Sequence, residues 1–60
     1  MPNLVDEQML AMIEWASEYP KAWHKIGNLD ATRRAAELLE KCDVIQIWKE
    51  TGLYRRKPKV

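Results

Sequence analysis

Residues 28–58 read NLDATRRAAELLEKCDVIQIWKETGLYRRKP, and a change of period inside that stretch decides the fold. From Asp30 to about Cys42, the residues Ala31, Ala35, Leu38, Leu39 and Cys42 recur at helical spacing, with Arg33, Arg34, Glu37, Glu40 and Lys41 on the other side. Asp30 is the natural N-cap of this helix, and the adjacent Ala35 and Ala36 let a neighbouring helix come close. From Asp43 onward the helical spacing stops. Val44-Ile45-Gln46-Ile47-Trp48 is β-branched and aromatic and has strand length, and Lys49-Glu50-Thr51-Gly52 reads as a type I turn closed by a left-handed glycine. Leu53-Tyr54-Arg55-Arg56-Lys57 returns as a second strand, which Pro58 ends. A four-residue loop sets Ile47 opposite Tyr54 and Trp48 opposite Leu53, whereas a three-residue loop sets Trp48 opposite Tyr54. The four-residue loop is favoured, because Ile45, Ile47 and Tyr54 then share the core face while Gln46, Arg55 and Lys57 face away.

Upstream, Val5, Met9, Met12, Ile13 and Ala16 fall on one helical face, opposite Glu7, Glu14 and Glu18. Asn3 caps this segment, Asp6 and Glu7 suit the positive end of its dipole, and Pro20 halts it. The spacing predicts helix 1 over 4–18, a short helix 2 over 20–26 and helix 3 over 30–42, with a hairpin over 44–57 and a basic tail over 58–60. In helix 2, Pro20 occupies the first turn, Trp23 and Ile26 share a side, and Gly27 supplies the left-handed residue that ends it. The expected core comprises Met9, Ile13, Ala16, Trp23, Ile26, Leu29, Ala35, Leu38, Leu39, Ile45 and Ile47, with Trp15 as a further aromatic anchor and Cys42 as a small buried hydrophobe.

Sixty residues make one domain, near the lower limit of size for unaided folding. One cysteine rules out an internal disulfide, and no Cys/His spacing suits zinc, so no metal or cofactor is expected. The lone His24 has no partner at catalytic spacing, and neither a nucleophile–base pair nor a glycine-rich phosphate loop is present, so an enzyme is not expected. The first twenty residues carry four acids and no basic side chain, unlike a signal peptide, and no apolar run reaches spanning length. A cytoplasmic protein with no membrane partner is expected. The net charge of +1 hides a gradient: −4 over residues 1–20, +1 over 21–40 and +4 over 41–60. The C-terminal end is therefore suited to an anionic partner.

The order helix, short helix, sharp corner, third helix, hairpin resembles a winged helix-turn-helix domain, an α+β and mostly α architecture of three helices followed by a two-stranded β-hairpin wing. The stretch quoted above resembles that family's third helix running into its wing: Thr32, Arg33, Arg34, Leu38 and Leu39 fit, while Asp43 stands where glycine is usual. The resemblance implies double-stranded DNA as partner, in transcriptional regulation or replication, with the third helix in the major groove and the wing on the backbone or minor groove. The DNA contacts it implies are Asn28, Thr32, Arg33, Arg34, Glu37 and Lys41 on the third helix and the turn before it. Lys49, Arg55, Arg56 and Lys57 would follow from the wing, and Lys21 and Lys25 from the second helix. Glu37 and Glu40 oppose phosphate on the same helix face as the arginines. The alternative is a protein-interaction winged helix, a dimerisation or docking domain, for which Trp48 and Leu53 form the exposed contact at the wing. Met1-Pro2 and the basic tail suit either a free phage- or plasmid-type regulator that dimerises or the C-terminal domain of a larger replication protein.

Overall fold

In a computed structural model that describes residues 3–58, the chain forms α1 (Leu4–Glu18), β1 (His24–Lys25), α2 (Asp30–Lys41), β2 (Ile45–Trp48) and β3 (Leu53–Arg56). Lys59 and Val60 of the expected tail lie outside the described residues. Two helices pack on one face of a three-stranded antiparallel sheet of order β1-β3-β2. This overturns the expected architecture. The described residues contain no helix over 20–26, hence no helix-turn-helix, and the sheet has three strands rather than two.

The physical reason lies in the ends of that segment. Seven residues make too few helical hydrogen bonds to offset the cost of nucleating a helix, and only a single turn forms, Ala22 N–H donating to the Tyr19 carbonyl at 3.1 Å. The free edge of β3 offers a better arrangement. His24 pairs with Tyr54 and Lys25 with Leu53, and Ile26 N–H donates to the Gly52 carbonyl at 3.1 Å, so the edge is covered and its polar groups are used. Gly27 is left-handed as expected, at φ 88°, but it turns the chain from β1 towards α2 instead of closing a helix.

The remaining elements follow the sequence closely. The Asn3 side chain accepts from Val5 N–H at 2.9 Å and caps α1. Ile47 lies opposite Tyr54 and Trp48 opposite Leu53, the register of the four-residue loop, and Gly52 closes that loop at φ 69°. α2 ends in a double backbone closure: Asp43 N–H donates to the Glu40 carbonyl at 3.0 Å and Val44 N–H to the Leu39 carbonyl at 3.0 Å. Asp43, at φ 60°, takes the left-handed place between them where glycine is usual.

The core joins Met12 and Ala16 of α1, Ala35, Ala36 and Leu39 of α2, Ile45 of β2 and Tyr54 of β3, with Met9, Ile13, Ile26 and Ile47 half-buried around it. The alanine pair is enclosed in the core that the two helices share, Ala35 at 0% exposure. Burial also lifts the Tyr54 phenol above its ordinary pKa of 10.0. Thr32 is buried too, its hydroxyl donating to Gln8 Oε1 at 3.0 Å and tying α2 to α1.

Several core expectations are corrected. Leu29 is 60% exposed: it is the N-cap of α2, and the second helix expected above it does not form. Asp30 is accordingly the first helical residue, not the cap. Trp15, at 55% exposure, lies off the Met12/Ala16 face and stacks along the helix surface on Tyr19, ring centroids 5.7 Å apart. Cys42, the C-cap of α2, is exposed rather than buried, because it stands at the helix end, outside the core cluster. Leu38 is only half-buried, while its neighbour Leu39 is enclosed.

Candidate nucleic-acid interface

The sheet's alternation sorts its side chains into two sets. Ile45, Ile47 and Tyr54 face the helices, so Gln46, Trp48, Leu53 and Arg55 lie on the opposite face. No described helix packs over that outer face. Arg55 organises it: its Nε donates to Gln46 Oε1 at 2.9 Å, and its guanidinium carbon sits 4.6 Å from the centroid of the Trp23 ring. Trp23 in turn meets Trp48, centroids 5.6 Å apart at an interplanar angle of 55°. Trp23, Gln46, Ile47, Trp48 and Arg55 line one shallow hollow. Trp48 remains 46% exposed, so a broad indole surface faces water.

Arg55 also lines a second groove with Pro20, Lys21, Arg56, Lys57 and Pro58. Among the described residues its lining holds four basic side chains and no acid. Arg56 is steadied by a hydrogen bond from Nη1 to Ser17 Oγ at 3.4 Å, and Lys57 by an exposed ion pair with Asp43 at 2.9 Å. No helix forms over 20–26 to carry Pro20 and Lys21 elsewhere. Pro20 and Lys21 run beside the end of β3 instead of entering a helix of their own.

The residues expected on the recognition helix are arranged differently. Arg33, Glu37, Glu40 and Lys41 of α2 line a third groove with Lys49 at the hairpin turn, three basic side chains against two acids. Arg34 is held by Glu37 at 3.3 Å on the exposed surface. Thr32 is buried, its hydroxyl bonded to Gln8. Lys25 and Asn28 lie apart from both grooves, at a hollow between α1 and β1 shared with Gln8 and Trp15. Leu53, expected as an exposed contact beside Trp48, is half-buried.

Sequence reasoning places Trp23 in the core and gives Gln46 no partner, whereas both meet Arg55 on the outer face. The signal was present: Trp23-His24-Lys25 carries a period of two once it is read as extended chain, which puts Trp23 and His24 on opposite faces. His24 accordingly sits on the helix side, 5.4 Å from the Tyr54 ring and near Trp15 and Tyr19. Among the described residues, no group of three or more His, Cys, Asp or Glu side chains gathers as a metal site, and no helix is long and apolar enough to cross a membrane. No protein-family model matches the chain, nor does any curated protein or solved structure.

Proposed function

We propose that this protein binds DNA through the basic groove and the outer sheet face, not through α2. The observation that carries the reading is the groove of Lys21, Arg55, Arg56 and Lys57, whose lining among the described residues holds four basic side chains and no acid, only Lys57 being paired, with Asp43 beside it. Phosphate contacts supply most of the sequence-independent affinity for DNA, and a groove of one sign focuses that attraction. The α2 groove is a poorer candidate, because Glu37 and Glu40 stand among its basic residues and repel the same phosphates. Thr32, the hydroxyl best placed in the sequence to reach a base, is already committed to Gln8.

The test is fluorescence anisotropy with labelled DNA at two salt concentrations. Parent protein at micromolar concentration is expected to bind near ~50 mM salt and to weaken steeply as salt rises. Replacing Lys21 and Arg56 together with alanine should lower the magnitude of the salt slope by roughly 1–2, one counterion equivalent or slightly less per lost phosphate contact. Arg33→Ala should leave affinity within about twofold of the parent, against the ~1–3 kcal/mol that a base-edge arginine carries. No binding at low salt, or binding that follows Arg33 and ignores Lys21 and Arg56, would overturn the proposal.

A further inference from the structure

The basic groove and the tryptophan pair form adjoining parts of the surface that meet at Arg55, which lines both, while Arg56 reaches the groove from the helix side of β3. Resting on the DNA-binding reading, we infer that this surface takes a single strand in preference to a duplex: the groove follows the phosphates, and Trp48 stacks an unpaired base. In a duplex the base faces are already occupied by their neighbours, and only their edges are offered. A strand with unpaired bases presents π-faces that any exposed aromatic ring can meet, and such stacking is indifferent to sequence. Trp48 suits that role. It stands 46% exposed, and at 55° to Trp23 it does not lie flat against its neighbour's ring. Trp23 is braced by the Arg55 guanidinium on its own ring, so the platform is held in place before any ligand arrives. Charge complementarity selects this occupant over an apolar protein surface. Among the described residues the hollow at the tryptophans contains Arg55 and no acid, and at Arg55 it adjoins a groove of cations. Lys57 comes to the strand already paired with Asp43, so it is the weakest of the four phosphate contacts.

The experiment compares a fluorescein-labelled oligothymidine of about 12 nucleotides, within the usual footprint of such surfaces, with a mixed-sequence duplex of the same length. The full chain is titrated at low salt as the parent, Trp48→Ala and Trp48→Phe, each checked for folding by circular dichroism and thermal melting. Tighter binding to the single strand is expected. Trp48→Ala should weaken it roughly 5- to 150-fold, Trp48→Phe should recover most of the loss, and the duplex should respond to neither by more than about twofold. Equal affinity for both forms with Trp48 silent would overturn the single-strand inference and leave DNA binding standing. Binding of neither form would remove both. If sedimentation instead shows a dimer that Trp48→Ala dissociates while affinity for the oligonucleotide is unchanged, the tryptophan face is a contact between copies and the inference fails.

Discussion

Leu39 and Leu38 are chemically identical neighbours on one helix, and replacing each with alanine tests the packing directly. Leu39 is 2% exposed and is one of the two largest fully enclosed side chains, whereas Leu38 is half-buried and stands outside the core cluster. Truncating Leu39 removes three buried carbons, worth about 2.4 kcal/mol in transfer at ~0.8 kcal/mol each. The cavity left between the alanine pair, Met12 and Ile45 raises the cost into the range of about 2.7–5 kcal/mol. A 60-residue domain has roughly 3–9 kcal/mol of stability in all, so Leu39→Ala should be partly or wholly unfolded at room temperature. Leu38→Ala loses transfer energy only from its buried half and leaves no closed cavity, for a cost of about 1 kcal/mol. Urea denaturation followed by tryptophan fluorescence gives both values, and thermal melts should separate the variants by more than ~10 °C. A loss at Leu38 equal to or greater than that at Leu39 would mean that α2 is rotated from the orientation described, and the reasoning about its buried face would fail.

Asp43→Gly should be more stable than Asp43→Ala by about 1 kcal/mol in the same denaturation assay. Both variants lose the ion pair to Lys57, and only alanine must hold a Cβ at φ 60°. Alanine proving the more stable would show that the left-handed closure of α2 is not populated in solution. Tyr54 gives a pH signature. Its folded pKa lies above 10.0, so the folded state keeps the proton where the unfolded state releases it. Its contribution to stability is complete below pH 10 and is lost as the pH rises from there through the folded pKa. Melting temperature against pH should therefore fall above about 10 in the parent and less steeply in Tyr54→Phe, provided that variant folds.

Local chemistry makes much of this protein legible in its sequence. α1 could be placed because Asn3 caps it and Pro20 forbids its continuation, both effects confined to a few neighbouring residues. The hairpin and its register could be placed because only one loop length puts Ile45, Ile47 and Tyr54 on a common face, and burying apolar side chains rewards that choice. The strong basic bias of the last residues likewise pointed to Arg55, Arg56 and Lys57 from composition alone.

The segment from Pro20 to Leu29 was decided elsewhere. Its own preferences are compatible with one and a half turns of helix, and nothing within those residues outweighs them. The deciding partner is the free edge of β3, some thirty residues away, which supplies backbone hydrogen bonds that a short helix cannot match. That single long-range pairing removes the helix-turn-helix, moves Trp23 from the expected core to the outer face, and sets Lys21 beside Arg55, Arg56 and Lys57. Sequence determines which residues are apolar, charged or turn-forming. Which of them become neighbours across the sheet depends on backbone groups that every residue carries alike, and only the folded chain distinguishes those.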